Sequence, residues 1–429
     1  MKIYSSKNIA RKKLDRLFSR PEINSEKFSK IVKPVVEDVK RGGLKSALKY
    51  ARKFDQFTGQ KILVSKKEID LAENNIDRDT INAFKLAAKN IEKFHGEQNP
   101  LNYKIETMPG VICSREFRAI ENVGLYVPGG TAVLPSTLLM LAIPARLAGC
   151  KRVVALSPTS KNIDPLVLYA AKICGVDEFY KIGGSQGIAL MAYGDKSVKK
   201  VDKIFGPGNQ FVTSAKNLVS TDPDGCAIDM PAGPSELLII ADDSASSSFI
   251  AADLLSQAEH GKDSQVILIT TSAKLSKEVN RSIELQTKYL PRNDFIQGAL
   301  KNSFTLIVNS IDEAVDMSNN YAPEHLILNI KNPERYKKRI INAGSVFLGK
   351  YSAESIGDYA SGTNHSLPTY GYARTFGGIS VESFMKTITF QEIRREGLKR
   401  IAPAVIKMAE TEKLEAHANA VKVRLNYER

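Results

Sequence analysis

The stretch ELLIIADDSASSSFIAADLLSQAEHGKDSQVILITT, residues 236–271, contains two apolar runs separated by a segment with helical character. The runs ELLIIAD (236–242) and QVILITT (265–271) are short, continuous and bounded by polar residues, as strands buried on both faces are. A strand, a helix and a second strand in this order predict a parallel pair of strands joined by a crossover helix. The stretch therefore predicts an α/β fold.

The same alternation of apolar runs and helical segments continues on both sides of this stretch. Six further runs have the character of strands: VVALS (153–157), EFYKIGG (178–184), KIFG (203–206), FTLIVN (304–309), HLILNI (325–330) and GSVFLG (344–349). Together with the first two they predict parallel sheets of the doubly wound type. The first 120 residues instead indicate mainly amphipathic helices, and the segment from about residue 391 indicates helix with a break near Pro403.

Composition narrows the class of protein. The 429 residues are 43% hydrophobic and 25% charged, which is typical of a globular protein with two or three domains. The four cysteines are scattered without a CxxC spacing, which favours a reducing compartment. The first residues lack the apolar region of a secretory signal, and the uncharged stretch 122–145 is interrupted by three prolines. We therefore expect a cytoplasmic protein without a membrane partner.

The net charge of +14 raises the question of a nucleic-acid partner. Most of the basic residues are interleaved with Asp and Glu, and the sequence shows no RGG run, zinc finger or aromatic–basic ladder. A solvated, lysine-rich surface accounts for this pattern. We expect no nucleic-acid binding.

Three glycine-rich turns follow apolar segments: YVPGGTAVLP (126–135), GGSQG (183–187) and FGPGNQF (205–211). Glycine lets the backbone approach a phosphate, and the N-terminus of a following helix offers free N–H groups. None of the three matches GxGxxG, the dinucleotide-binding fingerprint. Tight strand–helix turns use the same residues, so both a nucleotide site and ordinary turns remain open at this point.

His260 is one of only five histidines, and it lies in SQAEHGKDSQ (256–265) between the predicted helix and the second strand. If the helix continues through His260, Gln257 lies on the same face, because residues three apart are about 60° apart around a helix. The pattern fits a solvent-facing histidine at a capped helix end. It also fits two ligands held at the end of a helix.

Other polar residues could also belong to a ligand site. Glu324 and His325 begin a predicted strand, Asp358 and His365 share a Gly/Ser/Asn-rich loop, and His417 lies on the apolar seam of the last helix. These side chains offer nitrogen and oxygen ligands suited to zinc or a similar divalent ion. Each residue also has an ordinary structural explanation, and the separations along the chain leave their convergence open.

Seven stretches resemble the histidinol dehydrogenase family and occur in the order found there: GLYVPGGTAVLPST, FGPGNQFVTSAKN, IDMPAGPSE, SQAEHGKDSQ, APEHL, GDYASGTNHSLPT and EAHANAV. The resemblance runs nearly end to end. It implies two incomplete Rossmann-like units of the aldehyde dehydrogenase-like type. It also implies a helical N-terminal arm (1–22), a larger unit (23–125 and 237–380), an inserted NAD unit (126–236) and a C-terminal tail (381–429).

The resemblance implies a zinc enzyme that oxidises L-histidinol through L-histidinaldehyde to L-histidine with two NAD, in the last steps of histidine biosynthesis. One zinc per subunit would be bound by Gln257, His260, Asp358 and His417. NAD would lie near Tyr126, Gln186 and Asn209. The substrate would contact the four metal ligands together with Ser235, His325, His365 and Glu412.

The chemistry of two successive oxidations assigns catalytic roles to His325 and Glu324. His325 has a pKa range suited to accepting the hydroxyl proton, and Glu324 would activate the water that adds to the aldehyde. The family also implies a homodimer whose tail crosses to the partner subunit, so that each site is shared. The competing hypotheses are a cysteine thiohemiacetal mechanism, a zinc hydrolase, a metal-free aldehyde dehydrogenase-like enzyme and a basic nucleic-acid-binding protein.

Overall fold

The computed structural model describes residues 1–21, 25–129, 134–231 and 233–427. Their strands are β1 Lys2–Ser5, β2 Tyr103–Met108, β3 Val111–Ala119, β4 Asn122–Tyr126, β5 Arg152–Leu156, β6 Glu178–Tyr180, β7 Lys203–Phe205, β8 Ala227–Ile228, β9 Glu236–Ala241, β10 Gln265–Thr270, β11 Phe304–Ile307, β12 His325–Asn329, β13 Ser345–Leu348 and β14 Met385–Ile393. Their α-helices are α1 Arg11–Leu17, α2 Ser25–Phe54, α3 Lys66–Leu71, α4 Arg78–Gly96, α5 Pro135–Ala148, α6 Pro165–Cys174, α7 Gly184–Tyr193, α8 Gln210–Thr221, α9 Ser247–Ala258, α10 Ala273–Thr287, α11 Asn293–Lys301, α12 Ile311–Tyr321, α13 Glu354–Tyr359, α14 Arg395–Thr411 and α15 Glu415–Leu425. All eight predicted strands are confirmed, and the α/β fold class with them.

A six-stranded parallel sheet has the order β1-β11-β10-β9-β12-β13. Its centre is the pair predicted from residues 236–271, with β9 and β10 in register from Glu236↔Gln265 onward. Both strands are buried along their whole length, which explains their continuous apolar runs. Helix α9 connects them and returns the chain to the amino edge of the sheet.

A five-stranded parallel sheet has the order β6-β5-β4-β7-β8 and is formed within residues 122–228. One face packs on α5 and α6, and α2, α7 and α8 contribute to the cluster on the other face. This explains why residues 135–145 lack charge, since this part of α5 is buried almost all round and the exposed Arg146 comes only in the last turn. Such a helix belongs to the core of a large domain. No helix in the described ranges is long and apolar enough to cross a membrane.

The expectation of helices over the first 120 residues is wrong at two places. Residues 2–5 form β1, an edge strand that pairs with β11, and residues 103–119 contain β2 and β3. The partner of β1 lies about three hundred residues away, for example Tyr4↔Leu306. The pattern of apolar residues within 2–5 does not predict this strand, because the strand forms only where β11 offers hydrogen-bond partners.

The C-terminal segment also differs from its expectation. Residues 385–393 form β14, which pairs antiparallel with β3 in a three-stranded sheet. Pro403 lies inside α14 without ending it, and the helix ends instead at Thr411, followed by the cap residue Glu412 and by Lys413 with a φ of 59°. Proline removes one helical hydrogen bond, and on a half-exposed helix water satisfies the carbonyl that this frees.

Candidate active site

The imidazole of His325, the first residue of β12, is surrounded by three carboxylates. Its Nε2 lies 3.5 Å from Asp358 Oδ1 and 3.9 Å from Glu354 Oε1, and its Nδ1 lies 3.6 Å from Glu324 Oε2. Nδ1 is also 3.2 Å from the carbonyl oxygen of Glu236. A carbonyl oxygen only accepts, so Nδ1 carries a proton there and Nε2 is the ring atom available for proton exchange.

Burial and mutual charge shift the pKa values in this cluster. Burial raises the pKa of Glu324 to about 8 and that of Glu354 to about 8. Burial alone would lower the pKa of His325, but Glu324, Asp358 and Glu354 raise it to about 10. Burial also opposes ionisation of Asp358, yet the bond to His325 holds the pKa of Asp358 well below its usual range. Shifts of this size cluster at functional sites.

Glu354 is a member of the cluster that the sequence analysis missed. It begins α13, and Asp358 lies four residues later, so the two carboxylates share one face of the helix. Ser256 Oγ, on α9, donates to Glu354 Oε2 at 2.9 Å. The spacing of the two acids in SAESIGDY was the available signal, but α13 is too short for its helical period to be evident.

Helix α9 supplies Gln257, and His260 follows two residues after the helix ends. The helix ends at Ala258, so the expected shared face with His260 is wrong in detail. The backbone N–H of His260 still donates to the Gln257 carbonyl oxygen at 3.3 Å, which keeps the two residues adjacent. His260 lines a cleft, where burial lowers the pKa of its imidazole against the opposing charge of Asp358.

His365 connects the cluster to α5, which packs on the five-stranded sheet. Its Nδ1 donates to the Asp358 carbonyl oxygen at 2.8 Å, and its Nε2 lies 3.2 Å from Thr137 Oγ1. Burial lowers the pKa of His365, which agrees with a neutral ring that donates at one nitrogen and accepts at the other. The predicted loop residues Asp358 and His365 are thus close together.

The donor atoms of the cluster fit a metal ion. Among the described residues, Gln257 Oε1, His325 Nε2 and Glu354 Oε1 are buried without a hydrogen-bond partner. One ligand atom from each of His325, Glu354 and Asp358 lies within 4.8 Å of the others. Buried polar atoms without partners are costly, and an imidazole with carboxylate and amide oxygens suits zinc.

His417 and Glu412 lie apart from this cluster within the chain. Both are exposed on the segment formed by α14 and α15, and α15 packs on α14. Across the described ranges, the imidazole of His417 forms no hydrogen bond or ion pair. The two residues are distant from the cluster because their segment contacts the remaining chain mainly through the pairing of β14 with β3 and the turn at Gly110.

A cleft of about 350 Å³ lies between the two parallel sheets. The carboxyl ends of β4 and β7 contribute Tyr126 and Asn209, and the amino edge of the other sheet contributes Ser235 and His260. Two of the expected cofactor residues, Tyr126 and Asn209, therefore share one cavity with two of the expected substrate residues, Ser235 and His260. Part of the first glycine-rich turn, residues 130–133, lies outside the described ranges.

A buried ion pair holds the third glycine-rich turn in place. Lys216 Nζ bonds Asp229 and donates to the Gly206 carbonyl oxygen at 2.9 Å, while the Gly206 N–H donates to Asp229 Oδ2 at 2.8 Å. Gly206 has a φ of +119°, and a Cβ there would clash with the Tyr126 carbonyl oxygen. The turn requires glycine at this position.

Gln186 lies at the start of α7, beside Tyr126. It is buried, and its Nε2 donates to Asp55 Oδ2 at 2.8 Å. The Tyr126 hydroxyl accepts a bond from the Gly184 N–H at 3.4 Å. The geometry therefore brings Gln186 next to Tyr126, but it places the Gln186 amide behind the turn and not in the wall of the 350 Å³ cleft.

The cleft is lined by two glycine-rich turns at the carboxyl edge of one parallel sheet, and the buried imidazole of His325 lies among three carboxylates at the amino edge of the other. These features are typical of an α/β enzyme that uses a nucleotide cofactor. The family model described as histidinol dehydrogenase matches residues 18–425.

Individual relatives agree with this match. The chain is 52% identical to histidinol dehydrogenase of Bacteroides thetaiotaomicron over 96% of both chains, and 50% identical to that of Vibrio parahaemolyticus over 97% of both. The crystal structure of histidinol dehydrogenase from Elizabethkingia anophelis superposes with a TM-score of 0.95 at 49% identity, over 99% of this chain and 98% of that one. The chain belongs to the histidinol dehydrogenase family, an NAD-dependent dehydrogenase family of histidine biosynthesis.

Replacing Gly206 with alanine tests the close approach at this turn. The added Cβ must displace the turn from Tyr126, so we expect kcat/KM for NAD to fall on the order of 100-fold, because misplacement by about 1 Å has this effect. Gly377→Ala is the matched control, because nothing lies within 4 Å of its Cβ position. Steady-state kinetics with varied NAD measure both variants. Equal kinetics for the two would show that the contact between Gly206 and Tyr126 is dispensable.

Proposed function

We propose that this chain oxidises L-histidinol to L-histidinaldehyde and then to L-histidine at one zinc-containing site, with two NAD used in succession. The observation that carries the proposal is the His325 cluster in a chain of this family. His260, which lines the cleft with Tyr126 and Asn209, lies close enough to the cluster for the charge of Asp358 to act on its pKa. When bound, NAD accepts the hydride from the alcohol carbon. The chain supplies binding, orientation and proton transfer.

His325 is proposed to take the hydroxyl proton at Nε2. The bond from Nδ1–H to the Glu236 carbonyl oxygen fixes the ring orientation, and Asp358 and Glu354 lie on the Nε2 side. These carboxylates favour the imidazolium that forms when the proton is transferred. The geometry therefore suits a general base, whereas a pKa of about 10 keeps the ring protonated near neutral pH, so that proton must leave Nε2 before the hydroxyl proton can be taken.

Glu324 is proposed to activate the water that converts the aldehyde into a hydrated form able to lose a second hydride. Its Oε2 accepts the Glu236 N–H at 2.8 Å, which holds the carboxylate beside His325. Burial raises the pKa of Glu324 to about 8, near the range in which general bases are most effective.

The proposed zinc ligands are Gln257, His260 and Asp358, with His417 from a second copy of the chain. Of the triad His325, Glu354 and Asp358, only Asp358 is assigned to the metal, and His325 Nε2 is kept for proton transfer. Zinc when bound would orient the imidazole and amine of the substrate. Ser235 and His365 are proposed to contact the substrate from the cleft and from the Asp358 loop, and Glu412 from the tail of the second copy. Gln257 Oε1 is buried without a hydrogen-bond partner, which supports its assignment as a zinc ligand because a buried amide oxygen needs a partner.

We also propose that residues 126–236 form the NAD unit, inserted between the two parts of a larger unit, 23–125 and 237–380. The five-stranded sheet, formed within residues 122–228, supports this division. The tail from 381 is proposed to cross to a partner in a homodimer, which agrees with its exposed apolar side chains at Met408, Leu414 and Val423.

The cysteine mechanism is disfavoured. Burial raises the pKa of Cys150, Cys174 and Cys226 to about 12 each, and a thiol at such a pKa is a poor nucleophile. Cys113 lies in β3, in the three-stranded sheet that carries the tail. Proton transfer through Glu324 and His325 requires no thiol.

The stoichiometry of the reaction tests the proposed function. With limiting histidinol and excess NAD we expect about two NADH per histidinol, because two hydrides leave the same carbon. Absorbance at the NADH band, with histidine measured by chromatography, gives both quantities. One NADH with accumulated free aldehyde would contradict the four-electron reaction, and no NADH at all would contradict the substrate.

His260→Asn tests the metal site. We expect zinc content and activity to fall together, because the remaining ligands bind the ion less tightly. Glu324→Gln is the comparison, since it should keep its zinc and lose mainly the aldehyde-to-acid step. Elemental analysis after dialysis measures zinc, and single turnovers separate the two oxidations. Full zinc retention in the His260 variant would remove this residue from the ligand set.

Reassembly of two inactive variants, His417→Asn and His325→Asn, tests the shared site. If the tails cross, a heterodimer collects both defects in one site and leaves the other intact. Random reassembly makes about half of the dimers heterodimers, so about a quarter of wild-type activity should return. Native mass spectrometry verifies the heterodimer. An inactive mixture containing heterodimers would reject the crossed tail and leave zinc ligation by His417 as a separate question.

A further inference from the structure

The backbone of Glu236 holds both proposed proton-transfer residues. Its N–H donates to Glu324 Oε2 at 2.8 Å, and its carbonyl oxygen accepts from His325 Nδ1 at 3.2 Å. Glu236 begins β9 and His325 begins the neighbouring strand β12. A displacement of this single residue therefore moves the anchors of both side chains at once.

The side chain of Glu236 is anchored by Arg20 from the N-terminal arm. Arg20 Nε lies 2.5 Å from Oε1 and Nη2 lies 2.9 Å from Oε2, and both side chains are largely buried at 13% and 2% exposure. Paired N–H···O bonds of this kind fix both distance and orientation. The Tyr370 N–H donates to the same Oε1 at 2.9 Å.

Arg20 also contacts the other strand start. Its Nη2 donates to the carbonyl oxygens of Tyr321 and Ala322 at 2.8 and 3.2 Å, and the guanidinium lies 4.0 Å over the Tyr321 ring. These residues end α12 and lead through Pro323 into Glu324. Arg20 therefore connects the segment before Glu324 with the residue that hydrogen-bonds Glu324 and His325.

We propose that Arg20 is a positioning residue for the reaction, acting through Glu236 on Glu324 and His325. The inference rests on the proposed function of those two residues, and Arg20 itself contacts neither of them. Lysine cannot replace it, because an ammonium group lacks the planar fork that engages two carboxylate oxygens and two carbonyl oxygens together. Loss of the fork loosens Glu236 while the positive charge is retained.

The chain offers a matched control at the far side of the other sheet. Arg152 Nε lies 2.6 Å from Glu178 Oε1 and Nη2 lies 2.9 Å from Oε2, with the arginine again 13% exposed. Arg152 likewise donates to two backbone carbonyl oxygens, those of Lys199 and Lys200. It begins β5, at the edge of the sheet opposite the cleft.

The kinetic test compares Arg20→Lys with Arg152→Lys. We expect kcat of the Arg20 variant to fall about 10- to 100-fold, the range that misplacement of reacting groups produces, with little change in KM for NAD. The Arg152 variant should keep its kcat. Thermal unfolding of both measures the loss of stability. If Arg20→Lys and Arg152→Lys lose the same stability and the same fraction of kcat, Arg20 has only a structural role and the proposal is overturned.

Glu236→Gln provides a second variant of nearly identical shape. It keeps the backbone contacts and an oxygen acceptor but loses the charge, so kcat should fall again, by a smaller factor, with KM for NAD unchanged. If the Arg20 variant does not fold, this variant decides the question. An unchanged kcat in Glu236→Gln would then contradict the proposal.

A spectroscopic measurement separates this inference from the proposed function. The chain has five histidines, so ¹⁵N-histidine NMR resolves few signals, and His325→Asn assigns the one that matters. We expect the His325 Nδ1 signal to shift in Arg20→Lys and to stay in place in Arg152→Lys. A fixed signal in both would overturn the positioning role. Wild-type protein that yields no NADH from histidinol would contradict only the proposed function.

Discussion

The imidazole of His325 among the carboxylates of Glu324, Glu354 and Asp358 is the interaction on which the remaining site depends. Burying several charges costs free energy unless each has a partner, and a cluster of this kind tolerates little displacement. The sheet meets this requirement by placing β9 beside β12, so that Glu236 supplies backbone partners to two members. The pKa shifts of the cluster follow from the same crowding of charge at low exposure.

The two parallel sheets use opposite edges to form one cleft. Tyr126 and the turn before Asn209 follow the carboxyl ends of their strands, where ligands of doubly wound folds bind. The His325 cluster instead lies at the amino edge of the other sheet, where Glu236 and His325 begin their strands. His365 spans the gap, since it contacts Thr137 on one side and the Asp358 carbonyl on the other. Relative displacement of the sheets would therefore disturb the cluster as well as the cleft.

Several supports of the site are residues whose own chemistry takes no part in the reaction. Arg20 and Lys216 are buried cations that form charge-assisted bonds, one beside the His325 cluster and one beside the glycine-rich turn at Gly206. Asp55 holds the Gln186 amide in a similar way. Such groups orient the residues that touch ligands, and their loss leaves an unpaired polar group in the interior.

The sequence by itself determined the parallel α/β class and the eight strands, because buried strands and glycine turns are encoded over a few neighbouring residues. The family followed from the seven stretches that resemble it. It also placed Gln257, His260, Asp358 and His365 among the candidate site residues. Only the tertiary structure decided that Glu354 joins them, that Arg20 bonds Glu236, and that β1 pairs with β11. The contacts of Arg20 and of β1 join residues far apart in the chain, and Glu354 lies on a helix of fewer than two turns, which is too short to show a helical pattern. Strand order and packing create them, and local periodicity carries no information about either.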